Sequence, residues 1–194
     1  MNKPLNTSDE ILACARNLIM AGGYNGFSYA DIATVVGIRM PSIHHHFPTK
    51  LDLVKTLLAG YRREAEEGFK HLECAIPDSF AQLHAYVQYW KTCIGDLRAP
   101  FCVCALLAGE LPILPDEVAL EVRAYFHFLS TWLTAVLDRA VQQGVISLRY
   151  DARLEAEALM ATLHGAMLSA RAYGDADIFD TVMRAQLERM AVEN

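Results

Sequence analysis

Residues 28–53 read SYADIATVVGIRMPSIHHHFPTKLDL, two short helices and the start of a third in one stretch. Ser28-Tyr29-Ala30-Asp31 is a helix start. A hydroxyl is available to the first free N–H groups, and an acid sits in the first turn. Ile32, Ala33, Val35 and Val36 give that helix an inward side, and Gly37 supplies its stop. After Gly37-Ile38 a second short helix runs through Phe47. Its Ile43 and Phe47 are four apart and can hold it to a core. Arg39, Met40, Pro41, Ser42, His44, His45 and His46 are then left facing outward. Two short helices joined by a tight turn, the second with a polar outer face, have the geometry of a major-groove reader. Thr49 to Asp52 caps the next helix, with Leu53, Val54, Leu57, Leu58 and Tyr61 on one face.

Toward the N-terminus, Thr7-Ser8-Asp9-Glu10 reads as a capping box. Ile11, Leu12, Ala15, Leu18 and Ile19 form one stripe, and Gly22-Gly23 closes the helix. Toward the C-terminus, helices are expected near 79–96 and 101–110. Another runs from Pro115-Asp116-Glu117 to about Gln143, followed by two near 152–173 and 176–191. Period-two runs of β-branched residues are absent. The expected fold is all-α with nine helices, a three-helix helix-turn-helix head followed by a C-terminal helical bundle. Its functional division falls near residue 50, with a DNA-binding domain at 1–50 and an effector-sensing and dimerisation domain at 51–194.

The charge distribution fits that division. The 194 residues carry a net charge of −6, of which residues 1–60 hold +1 and the remainder −7. An acidic protein does not coat nucleic acid indiscriminately, so any DNA contact must be local to the head. No apolar run is long enough to span a membrane and no signal-peptide pattern is present, which makes the cytoplasm the expected location. A nucleophile elbow, a Gly-rich phosphate loop and a paired-carboxylate spacing are all missing, so neither an enzyme nor a cofactor is expected. The His44–His46 run is not a metal site, because adjacent helical residues point about 100° apart and cannot converge on one ion.

The stretch 28–53 resembles the DNA-binding signature of the TetR family. It has the capped helix, the Gly-Ile turn, the small-residue second helix with an aromatic-rich end, and Phe47-Pro48-Thr49-Lys50. It departs at His44 and His46, where Tyr is usual, and at Arg39, where a capping Ser is usual. The resemblance implies phosphate contacts at Ser28 and Tyr29, and base or backbone contacts at Arg39, Met40, Pro41, Ser42 and His44 to His46. It also implies a phosphate clamp at Thr49 and Lys50. The partners it implies are a double-stranded operator, a second copy of the chain docked through the helices near 152–173 and 176–191, and a small-molecule effector.

Two features of the body follow from the same resemblance. Pro100 to Glu110 (PFCVCALLAGE) is similar to a segment of the TetR subgroup that contains the N-ethylmaleimide-responsive repressor. There a cysteine eight residues before the Glu senses electrophiles and oxidants. Cys102 stands at that spacing, with Cys104 beside it, and together they form the candidate sensor. The alternative is inert packing, since a buried Cys behaves as a small hydrophobe. Tyr86, Tyr89, Trp90, Phe101, Phe126 and Trp132 are the candidate lining of an effector pocket, although aromatics at helical spacing are also ordinary core.

Overall fold

The computed structural model describes residues 6–95 and 101–192. Among them are nine α-helices: α1 (Thr7–Gly22), α2 (Tyr29–Val36), α3 (Met40–His46), α4 (Lys50–Ala75), α5 (Ser79–Gly95), α6 (Val103–Ala108), α7 (Asp116–Gln142), α8 (Ala152–Tyr173) and α9 (Asp177–Glu188). A 3-10 turn, Leu111–Ile113, joins α6 to α7. Extended backbone pairs only in the isolated bridge Ile146–Ala191 among these residues. The all-α architecture with nine helices is therefore the one the periodicity predicts.

Local chemistry moves some boundaries. The cap of α1 is Asn6, whose Oδ1 accepts the Asp9 N–H at 2.9 Å, and not Thr7. The helix expected over 101–110 is only six residues long, because Gly109 and Pro112 favour a tighter turn. Asp96, at the end of the expected fifth helix, and Pro100, at the start of the cysteine segment, lie outside the described residues. Val35 is not inward but 68% exposed. Ile32 and Val36, four apart, share the inner side of α2, and the residue between them on the helical wheel turns away from it.

The helices gather into two compact units. One takes the described residues through Glu64 together with Val103–Ala124, and the other takes the remainder. In the first, α1 packs on α2 and α6, and α2 packs on α3. Ile11, Ala15, Ile19, Ile32, Ile43 and Leu53 are fully buried in it. Each of these Ile and Leu side chains contributes about 1.5–3 kcal/mol through burial, which holds short helices that would not persist alone. In the second unit α8 and α9 form the most extensive helix pair, and α9 also packs on α5. Leu163, Met167, Phe179, Met183 and Leu187 lie in its core. Lys91 and Asp180 pair across α5 and α9 at 2.9 Å.

Candidate nucleic-acid interface

Helix α3 is held by three devices. Ile43 and Phe47 anchor its inner side. At its start Gly37 adopts a left-handed conformation (φ 76°, ψ 29°) and gives its N–H to Ala33, a turn that costs glycine little and most residues much more. The Tyr29 hydroxyl donates to the Phe47 carbonyl at 2.9 Å, and its ring packs 4.8 Å from that of His44. Burial pushes the Tyr29 phenol up to about 12, so it stays protonated and keeps this donor role. Arg39 occupies the N-cap without a side-chain bond, so its guanidinium is not committed to capping α3.

Two capping boxes hold the neighbouring helix starts. The Ser28 hydroxyl and N–H both meet the Asp31 carboxylate at 2.7 Å. These bonds hold the Asp31 carboxyl below its ordinary 3.8. Thr49 and Asp52 repeat the arrangement at α4, with the two hydroxyl-to-acid oxygens 2.7 Å apart. Lys50 folds back over the head. Its ammonium donates to the Phe27 carbonyl and lies over the rings of Phe27, at 4.1 Å, and Tyr24, at 5.1 Å. Burial pulls its pKa below the usual lysine range, with Asp31 opposing. Lys50 thus ties the start of α4 to the loop before α2.

The set named from sequence divides by exposure. Ser28, Arg39, Met40, Pro41, His44, His45, His46 and Thr49 are exposed, while Tyr29, Ser42 and Lys50 are half-buried. The resulting surface offers hydroxyls, imidazoles and a guanidinium on a short rigid helix. Those are groups that can reach phosphates and base edges.

Residues 11–57 match the family described as "Bacterial regulatory proteins, tetR family", and residues 79–186 match "Tetracyclin repressor-like, C-terminal domain". The chain belongs to the TetR family. That is a family of DNA-binding transcriptional regulators rather than enzymes. A TetR-family regulator from Agrobacterium tumefaciens shares 59% identity over 95% of this chain and 97% of its own, with a TM-score of 0.93. The repressor KstR2 of Rhodococcus jostii is 28% identical over 92% of this chain and 86% of its own length. The reduced form of NemR from Escherichia coli, at 16% identity and TM-score 0.83 over 96% and 98% of the two chains, shares the fold.

In the body of this TetR-family chain the candidate aromatics divide among separate clusters. Tyr86 and Trp132 meet edge to face at 5.4 Å. Against both packs Phe69, which sequence reasoning passed over. It stacks on Trp132 at 3.8 Å and lies near-parallel to Phe128 at 5.6 Å. Phe69 was hidden by the charged stretch around it, but Tyr61, Ala65 and Phe69 follow a spacing of four that marks one face. A cavity of about 340 Å³ opens over this stack, also bordered by Glu66, Lys70 and Glu73. Glu73 accepts bonds from the Trp132 indole (3.2 Å) and from Arg139 (2.7 Å). Phe101 instead lies under Arg171, and Phe126 against His164. Tyr89 is 54% exposed, and Trp90 is buried.

Cys102 and Cys104 are both at 0% exposure. Cys74 is the exposed cysteine and Cys93 is partly covered. Among the described residues no cluster of His, Cys, Asp and Glu could hold a metal ion, and no helix is long and apolar enough to cross a membrane.

Proposed function

We propose that this TetR-family regulator is a repressor that binds a palindromic operator as a homodimer and leaves it when a small molecule occupies the body. The observation that carries this reading is the outer face of α3, where Arg39, Pro41 and His44 to His46 stand exposed on a helix pinned by Ile43, Phe47 and Tyr29. Ser42 and Met40 complete the surface offered to the groove. Ser28, Thr49 and Lys50 flank it at helix starts, where a phosphate is favoured. The Tyr29 hydroxyl donates to a phosphate only by releasing the Phe47 carbonyl.

Dimerisation is supported by α8. Leu154, Ala158, Ala161, Gly165, Leu168 and Ala172 are all exposed and alternate at spacings of four and three. That is a heptad seam on the solvent side of the helix, with small residues that let a second helix approach. The opposite face, with Leu159, Leu163 and Met167, is already used within the chain. A two-fold dimer sets two copies of α3 on half-sites ~34–36 Å apart.

The aromatic cavity has the size of a small-molecule site. In this reading an effector there displaces α4, whose first residue is Lys50 and whose twentieth is Phe69. A tenfold loss of affinity needs only ~1.4 kcal/mol of coupling. A thiol trigger at Cys102 is the weaker reading, because the side chain is sealed from solvent. Footprinting on the DNA flanking its own gene tests the proposal. Protection of an inverted repeat supports it, and absence of any protected site there and in random DNA overturns it. Release by an electrophile that survives Cys102→Ser excludes the thiol trigger.

A further inference from the structure

Glu110 lies just beyond α6, outside the surface that faces DNA, yet its side chain reaches the end of α1. Its Oε2 accepts the backbone N–H of Tyr24 at 2.9 Å. Gly23, beside it, is buried with φ 75°, and any Cβ at that position would run into the Glu110 carboxylate. The fit is specific on both sides: an acceptor meets a free donor, and a glycine leaves room for the acceptor.

Helix preference does not explain this acid. The C-terminal end of a helix carries partial negative charge and favours cations. Glu110 is nonetheless anchored there, its own backbone held by bonds from its N–H to Leu107 and from the Ile113 N–H to its carbonyl, each 2.9 Å. The turn it grips begins at Gly23 and ends at Phe27, whose carbonyl receives Lys50, immediately before the Ser28 cap of α2. Tyr24, the residue whose N–H Glu110 accepts, also lies under the Lys50 ammonium.

We propose that Glu110 is a positioning residue for DNA binding, a strut through which the segment after α6 fixes the turn that sets α2 and α3. The proposal rests on the operator-binding reading, and its test separates the two. The probe is duplex DNA enriched by the wild-type protein from a random-sequence library. Amide exchange is followed at Tyr24 and across peptides of residues 24–46.

Glu110→Ala should keep wild-type helix content and oligomeric state. It should also exchange the Tyr24 amide several-fold faster and bind the duplex about tenfold more weakly, equivalent to ~1.4 kcal/mol. Glu110→Gln keeps an acceptor oxygen and should stay within about twofold of wild type. Gly23→Ala should weaken binding both by pushing the carboxylate out and by placing a Cβ on left-handed backbone (φ 75°), and only the first part should vanish in the Glu110→Ala background. Wild-type binding and exchange by Glu110→Ala overturn the strut, as do additive effects of the two substitutions. If Glu110→Ala does not fold, a Glu110→Gln protein as defective as Gly23→Ala overturns it. If the wild-type protein enriches no duplex, the operator reading falls, while Tyr24 exchange still decides whether Glu110 holds the turn.

Discussion

Lys50 shows how far a motif carries at the level of one residue. The family resemblance implies a phosphate contact for a lysine after Phe47-Pro48-Thr49, and nothing in the sequence says that its ammonium closes on the Phe27 carbonyl. That contact joins residues 23 apart and depends on how the loop before α2 folds. If Lys50 also meets phosphate, Lys50→Ala should weaken binding to every duplex and shallow the salt slope by about one unit. A binding isotherm repeated at several salt concentrations checks this, and an unchanged slope would leave Lys50 as a brace alone. The cysteines separate by burial in the same way. Under native conditions a bulky maleimide should modify Cys74 first and Cys93 more slowly, with Cys14, Cys102 and Cys104 protected. Peptide mapping at short times reads the order, and early labelling of Cys102 would revive the thiol trigger.

Helices were legible where punctuation and period agreed. The starts of α2 and α4 are capping boxes written in Ser28–Asp31 and Thr49–Asp52, and the structure forms both. The span of α8, bounded by Asp151 and Gly174, is as read. Elements failed to read where short-range signals compete. The α6 segment looks helical by its apolar content, yet Gly109 and Pro112 turn it early, and the acid that follows acts on a residue 86 positions away.

The cap of α2 also carries a pH signature. The bonds from Ser28 depress the Asp31 carboxyl, so its stabilisation is fully present above about 3.8 and is lost as pH falls through the lower folded value. Asp31→Asn should reduce stability at neutral pH and flatten that acid limb in denaturant titrations. For α8, Leu168→Glu places a charge in the exposed heptad seam, where Leu168 is 60% exposed. It should leave the fold of the chain intact and yield a 21.6 kDa monomer in sedimentation at micromolar concentration. A dimer that persists would move the interface elsewhere.

For the molecule as a whole, fold and family could be read from 28–53 and the helical period, because both depend on local chemistry. The cavity of the body resisted, because a cavity depends on which helices meet. Of the six aromatics named as its lining, Trp132 borders the cavity found, while Phe69 and Phe128 supply the rest of its stack. The acidic body and near-neutral head predict binding that is specific rather than general, since only the head can meet DNA without repulsion. The most direct test is selection of duplexes from random DNA by the wild-type protein, followed by footprinting of the winners. Two inverted half-sites, with centres one helical turn or a multiple of it apart (~34–36 Å per turn), are expected. No enrichment over bulk DNA, or enrichment of a single unpaired half-site, would contradict a dimeric operator-binding regulator.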